Sequence, residues 1–337
     1  MRIEVLIDVK TVLGEGPVWD VDEERLYFID SFGCNVFRCT ADGREVRAWD
    51  VPAKIGSMAL RRQGGAVVSL ANGFHFLDFR TGDCQLIVDP ESDKPANRIN
   101  DGKVDKRGRF VAGSMDTMEE GPNGALYRLD PDLSLHKLDD HIIVSNGPCW
   151  SPDGRIFYFA DTWTGEIWAY DYDLDTGAVS NRRTFCRVDR SRGGAADGST
   201  VDAEGCLWNA LVYDGRIVRY TPDGKVDRVI DMPVKNVTSV MFGGPDLDVL
   251  YVTSMANPLC HAFQATASSA VASLPFTILA SAVFPSRASP AESSASSGAA
   301  SIMKALFALY YRRVISPLRR ARRTTEFALL RRLLFVR

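Results

Sequence analysis

The stretch SNGPCWSPDGRIFYFAD at residues 145–161 combines an apolar strand, an Asp-Gly turn and a second strand rich in aromatic residues. Related phrases begin at five further positions, Gly14, Gly56, Asn100, Ala196 and Thr238. With the start at Ser145 included, successive starts lie 42, 44, 45, 51 and 42 residues apart. A period of about 40–50 residues is typical of four-stranded propeller blades. The repeat therefore predicts an all-β fold, a six-bladed β-propeller.

The C-terminal quarter departs from this repeat. The sixth unit loses its outer strands after Thr253-Ser254, so the last blade is predicted to be incomplete. We expect a propeller domain at 1–260, a disordered Ala/Ser-rich linker at 261–303 and a basic Leu/Arg-rich tail at 304–337 outside the fold. Two interpretations of the tail remain open: a basic amphipathic helix that binds a membrane surface or a partner, or a segment translated from a wrong frame.

Charge and composition limit the partners of the propeller. The formal net charge is −3, but residues 304–337 contain ten Lys or Arg and a single acid, which leaves −12 on residues 1–303. An acidic body lacks the basic surface that nucleic acids require, and residues 1–260 contain no apolar run of the roughly 20 residues that span a membrane. Seven cysteines without a CxxC pair, and an N-terminus without signal-peptide features, favour a cytoplasmic protein with reduced thiols.

The repeats also predict a site. Aligned on a shared glycine, they place four oxygen-bearing side chains at equivalent positions: Glu15, Asp101, Asn146 and Asp197. The innermost strands of a propeller line a central channel, so these side chains should converge there. Each Asp-Gly or Asn-Gly pair taken alone is more often an ordinary turn. Together they form an oxygen-only set that suits Ca²⁺ or Mg²⁺ and does not exclude Mn²⁺ or Zn²⁺.

Other catalytic constellations have little support in the sequence. The four histidines have no metal-ligand spacing, the serines have no GxSxG phrase, and no phosphate-binding glycine loop occurs.

Six motifs carry a family resemblance: LGEGPVWD (13–20), NRINDGKVD (97–105), SNGPCWSPDG (145–154), YDYDLDTG (170–177), ADGSTVDAEGCLW (196–208) and TSVMFGG (238–244). As a set they resemble the SMP-30/gluconolactonase/regucalcin family over roughly residues 5–258. The resemblance implies one divalent cation held by Glu15, Asn146 and Asp197, with Asp197 also acting as the general base. It further implies that Arg98 and Asn100 hold the substrate.

Two acids complete the expected substrate-binding set. Asp101 follows Asn100 directly, and Glu120 lies in the Gly/Pro-bounded loop TMEEGPNG together with Glu119. This loop either covers the mouth of the channel or is simply solvated.

The function expected from these residues is metal-dependent hydrolysis of a sugar lactone, such as gluconolactone, to the hydroxy acid. A divalent cation polarises a carbonyl, lowers the pKa of water and stabilises an oxyanion, so no nucleophilic side chain is needed. The alternative is a non-catalytic, calcium-binding regulatory propeller, which the same ligands permit.

Overall fold

A computed structural model of the protein describes residues 1–256 and 279–283. Within these residues, 24 strands form six four-stranded antiparallel sheets and no helix occurs. The described segments accordingly include no helix long and apolar enough to cross a membrane. The predicted all-β propeller is confirmed.

Strand β1 (Arg2–Ile7) precedes the repeats, and five blades follow, each made of four consecutive strands of the described chain. The first blade contains β2 (Gly14–Asp20), β3 (Arg25–Asp30), β4 (Asn35–Thr40) and β5 (Arg47–Asp50). The second contains β6 (Ile55–Leu60), β7 (Ala66–Leu70), β8 (Gly73–Leu77) and β9 (Cys84–Val88). The third contains β10 (Asn97–Val104), β11 (Phe110–Asp116), β12 (Gly124–Leu129) and β13 (Leu135–Ile142).

The fourth and fifth blades have the same order. The fourth contains β14 (Ser145–Trp150), β15 (Ile156–Asp161), β16 (Glu166–Tyr172) and β17 (Val179–Arg187). The fifth contains β18 (Ala195–Val201), β19 (Leu207–Val212), β20 (Arg216–Tyr220) and β21 (Val226–Asp231).

The sixth sheet is assembled from separate parts of the chain. It contains β22 (Val237–Gly243), β23 (Val249–Ser254), β24 (Leu279–Val283) and β1, in that order. β24 pairs antiparallel with β23 on one side and with β1 on the other. The predicted incomplete last blade is therefore corrected, because two distant segments supply its outer backbone hydrogen bonds. β24 lies inside the stretch 261–303 expected to be linker; the rest of that stretch, residues 257–260 and the tail 304–337 lie outside the described residues.

The first strands of neighbouring sheets contact one another in a closed ring: β2 with β6, β6 with β10, β10 with β14, β14 with β18, β18 with β22, and β22 with β2. The inner strands approach closely. A Cβ atom added at Gly198 of β18 would lie 2.0 Å from the Oγ atom of Ser239 on β22. Only glycine fits at this position, because any side chain would push these two inner strands apart.

A buried threonine links the last inner strand to the first. The Thr238 hydroxyl on β22 donates a hydrogen bond to the Gly14 carbonyl on β2 at 2.5 Å, and its oxygen lies 2.9 Å from the Thr253 hydroxyl. Thr238 is fully buried. The bond therefore joins residues 224 positions apart where water cannot replace it.

We expect Thr238→Val to destabilise the protein by about 1–3 kcal/mol, because the substitution leaves the buried Gly14 carbonyl without its donor. Urea unfolding of the two proteins measures this difference. Thr184→Val is the matched control, since Thr184 lies exposed on an outer strand. Equal unfolding free energies for the Thr238 variant and the wild type would show that this bond does not contribute to closure.

Candidate metal and substrate site

A cavity of about 320 Å³ lies where the inner strands of several blades meet. Five of the predicted residues line it: Glu15 on β2, Arg98 and Asn100 on β10, Asn146 on β14 and Asp197 on β18. These side chains come from four different blades. The structure therefore brings together the three predicted metal ligands and two of the predicted substrate-binding residues.

Irregular strand pairing places these side chains. The register between first and second strands shifts close to each repeat position, between Glu15 and Val18, Ile99 and Gly102, Asn146 and Cys149, and Ala196 and Ser199. Such bulges turn side chains away from the regular alternation of a strand. At Gly147, φ is +63°, and a Cβ atom would lie 2.6 Å from the Ser199 hydroxyl oxygen. The Asn146-Gly147 pair is thus part of a bulged inner strand in which position 147 requires glycine, and not an ordinary hairpin turn.

A chain of hydrogen bonds orients the amides. Arg98 Nη1 donates to Asn100 Oδ1 at 2.6 Å, and Asn100 Nδ2 donates to Asn146 Oδ1 at 3.1 Å and to the Ser145 carbonyl at 2.8 Å. Asn146 Nδ2 in turn donates to the Thr162 hydroxyl at 2.9 Å. Since an amide oxygen has two lone pairs, Asn146 Oδ1 keeps acceptor capacity for a cation.

The carboxylates of the site repel one another in a buried setting. Burial, and then the charge of Asp101, raise the pKa of Glu15 to about 8. Burial, and then the charges of Glu15 and Asp101, raise the pKa of Asp197 well above its ordinary value. Burial lowers the pKa of Arg98, against the nearby charges of Glu119, Glu15 and Asp197. Without a further positive charge, the carboxyl groups of Glu15 and Asp197 therefore stay protonated to a higher pH than exposed carboxyl groups do.

The donor set fits a hard divalent cation. Among residues 1–256 and 279–283, no group of three or more His, Cys, Asp or Glu side chains could hold a metal ion. The predicted set differs, because its third ligand is the amide oxygen of Asn146 beside the carboxylates of Glu15 and Asp197. Oxygen ligands of this kind suit Ca²⁺ or Mg²⁺, and a cation would relieve the repulsion that raises both carboxyl pKa values.

Asp101 has a different place from the predicted one. It is buried and does not line the cavity. Its Oδ1 accepts a hydrogen bond from the Gly102 amide at 2.8 Å, and its Oδ2 accepts one from the Gly147 amide at 2.9 Å. The carboxylate is thereby used within the protein. Asp101 holds the backbone next to Asn146, and its predicted contact with substrate stays a prediction.

The two loop acids differ in their position relative to the cavity. Glu120 is exposed and lies outside the cavity lining, whereas Glu119 lines the cavity and accepts a hydrogen bond from Trp163 Nε1 at 2.7 Å. Glu119 has φ +59°, in the left-handed region. This turn directs Glu119 into the cavity, and the substrate contact predicted for Glu120 stays a prediction.

Several lining residues were missed by sequence reasoning: Phe32, Lys54, Trp163 and Tyr213. The Trp163 and Tyr213 rings are stacked, with centroids 6.4 Å apart and an interplanar angle of 6°. A repeat signal existed for the aromatic residues. Each follows the end of the second strand in its blade, as in DSFG at 30–33 and DTWTG at 161–165.

Comparison with known proteins decides the family. Residues 13–256 match the profile described as SMP-30/Gluconolactonase/LRE-like region. The chain belongs to this family. Regucalcin from Xenopus laevis is 39% identical over 260 residues, which are 75% of this chain and 87% of that relative.

Two solved structures of similar proteins agree with the family. A luciferin-regenerating enzyme is 30% identical, with a TM-score of 0.75 over 83% of this chain and 94% of that one. The calcium-binding protein regucalcin from Agrobacterium tumefaciens is 29% identical, with a TM-score of 0.72 over 82% of this chain and 92% of that one. The resemblance inferred from the motifs is thus confirmed, while the roles of individual residues stay predictions.

The raised pKa of Glu15 predicts how stability depends on pH in the absence of metal. The folded state binds this proton more tightly than the unfolded state, so the contribution is fully present below pH 4.5 and is lost as pH rises through about 8. We expect the melting temperature of chelator-treated protein to fall over this range, and Ca²⁺ to raise it most at high pH. Glu15→Gln should flatten the pH dependence, whereas exposed Glu45→Gln should not. Parallel curves for wild type and Glu15→Gln would contradict this prediction.

The contacts of Asp101 predict an effect on cation affinity. In Asp101→Asn the new amide group cannot accept from both the Gly102 and Gly147 amides, so the backbone beside Asn146 loosens. We expect the affinity for Ca²⁺, measured by titration calorimetry, to fall about tenfold, as is usual when a group that orients a ligand is removed. Asp153→Asn, in an exposed turn after β14, is the matched control. An unchanged affinity in Asp101→Asn would refute the positioning role.

Proposed function

We propose that this protein hydrolyses a sugar lactone to its hydroxy acid with the help of one divalent cation held by Glu15, Asn146 and Asp197. The observation that carries the proposal is the convergence of these residues with Arg98 in one cavity. Membership of a family named after gluconolactonase supports it. The cavity volume, about 320 Å³, lies at the small end of ligand pockets and suits a monosaccharide.

When bound, a divalent cation polarises a lactone carbonyl and lowers the pKa of water. Asp197 is the residue for proton transfer, because its buried carboxylate lines the cavity beside Arg98 and Asn100, the residues proposed to hold the substrate. It takes the proton of the attacking water and returns it to the ring oxygen as the ring C–O bond breaks. The hydroxy acid that forms is ionised at neutral pH, so each turnover releases one proton to solution.

Arg98 and Asn100 have the groups that can hold the substrate. Arg98 is buried and uses Nη1 for Asn100 and, at 3.4 Å, for the Ile99 carbonyl. Within the described residues, its Nε and Nη2 atoms form no hydrogen bond and belong to a side chain that lines the cavity. These N–H groups are suited to carbonyl or hydroxyl oxygens of a lactone.

The aromatic residues complete the binding surface. Trp163 and Tyr213 present parallel rings in the cavity wall. Such rings pack against the apolar C–H faces of a sugar and keep bulk water from the reacting carbonyl.

A second candidate function is calcium binding without catalysis. The Agrobacterium tumefaciens relative is described as a calcium-binding protein, and the same oxygen ligands would serve such a role. Hydrolysis distinguishes the two, because a purely regulatory propeller binds the cation without opening a lactone.

Two further proposals concern the partner of the site and the cellular location of the protein. We propose a small-molecule lactone as the partner of the site, with neither nucleic acid nor membrane involved in its action. We also propose a cytoplasmic location; the thiols of the six cysteines in the described part of the chain are all free, as expected in a reducing compartment.

Proton release measures the proposed reaction. We expect the purified protein to hydrolyse gluconolactone or a pentonolactone, to lose activity with a chelator, and to regain it with Ca²⁺, Mn²⁺, Mg²⁺ or Zn²⁺. Asp197→Asn should lower kcat by about 100-fold or more, since it removes both the proton acceptor and a metal ligand. Asp153→Asn is the matched control. A folded, metal-loaded protein that opens none of these lactones would instead support the calcium-binding function.

A further inference from the structure

Lys54, at the rim of the cavity, has no anionic partner among the described residues. Lys54 lies just before β6, is exposed, and lines the same cavity as Glu15 and Asp197. Its Nζ atom lies 4.3 Å from the centroid of the Phe32 ring. Within residues 1–256, the Lys54 ammonium forms no hydrogen bond or salt bridge. The Phe32 ring therefore holds a cation whose hydrogen-bond donors remain available.

Three other lysines of the described chain differ in this respect. Lys94, Lys137 and Lys225 each lie within 3.2 Å of a carboxylate oxygen. Lys54 is instead kept beside a second cation, because the Arg98 guanidinium lies 5.7 Å from the same Phe32 centroid. Two positive charges thus share one wall of the cavity.

The charge balance of the cavity indicates the charge of the ligand that Lys54 and Arg98 would bind. Among the residues that the structure describes, three carboxylates line the cavity, those of Glu15, Glu119 and Asp197, together with the two cations of Arg98 and Lys54. These five side chains have a net charge of −1 when all are ionised, and one bound divalent cation changes the net charge to +1. A neutral lactone leaves this positive charge uncompensated, whereas a lactone with one carboxylate neutralises it.

We propose that Lys54 is a specificity-determining residue that binds the free carboxylate of an acidic sugar lactone, such as the monolactone of an aldaric acid. The inference rests on the proposed lactone hydrolysis and narrows its substrate class. Contact with Phe32 restricts the lysine side chain before binding, so less conformational freedom is lost when the carboxylate arrives. The bond itself is a charge-assisted N–H···O contact.

A matched pair of substrates tests this proposal. Glucaro-1,4-lactone and glucono-1,4-lactone share a ring and differ in having a carboxylate or a hydroxymethyl group at the far carbon. We expect wild type to have the higher kcat/KM for the carboxylated lactone. Lys54→Met should lower that preference about tenfold, an effect of roughly 1.4 kcal/mol. Lys54→Arg should retain most of it, and Lys225→Met, in the turn just before β21, should leave it unchanged.

The kinetic result can overturn the proposal. A wild type that favours the neutral lactone, or a Lys54→Met variant that loses activity equally on both substrates, would show that Lys54 does not select a carboxylate. Preference that falls when NaCl is raised, and that Lys54→Arg restores, would support it.

A binding measurement separates failure of this inference from failure of the proposed reaction. Glucuronate and glucose, which are not lactones, are titrated into calcium-loaded protein by calorimetry. Tighter binding of glucuronate in wild type than in Lys54→Met supports the carboxylate site even if no lactone is hydrolysed. Equal glucuronate binding by the two proteins, as expected if the carboxylate binds only to the cation, overturns the inference even if neutral lactones are hydrolysed.

Discussion

The closed ring of inner strands is the constraint on which the site depends. β10, β14 and β18 are neighbours in the ring, and β2 is separated from them by β6 on one side and by β22 on the other. Residues as distant in the chain as Glu15 and Asp197 therefore reach one cavity. The ring is closed between β22 and β2, where the Thr238 hydroxyl meets the Gly14 carbonyl one residue before Glu15. The contact that closes the ring therefore also positions Glu15, the first of the predicted metal ligands.

The ring also concentrates negative charge. Burial is the main cause that raises the pKa of Glu15, Asp101 and Asp197, and for Glu15 and Asp197 the charges of neighbouring carboxylates raise it further. Two backbone amides and the charge of Lys103 partly offset this for Asp101. The Gly16 amide and the charges of Arg98 and Lys103 partly offset it for Glu15, and the Gly198 amide does so for Asp197. At high pH the buried carboxylates repel one another and destabilise the protein when no cation is bound. A hard cation that binds there removes this repulsion, so the buried like charges favour cation binding.

Much of this could be predicted from the repeat. Its period indicated blades, and the oxygen-bearing residue before each shared glycine indicated side chains that meet; Glu15, Asn146 and Asp197 do line one cavity. The outer strands of the sixth sheet could not be predicted this way. β1 and β24 lie outside the repeated phrase, and they join the sheet through backbone hydrogen bonds that do not depend on the residue types of the repeat.

The sequence by itself determined the spacing of the blades and the supply of oxygen donors, because both are written in residue types at regular intervals. Only the tertiary structure decided how individual side chains are used. Asp101 turns to the Gly147 amide, and Glu119 enters the cavity while its neighbour Glu120 stays outside. The physical reason is that strand pairing, bulges and a left-handed turn set the direction of a side chain, and these depend on contacts between residues far apart in the chain.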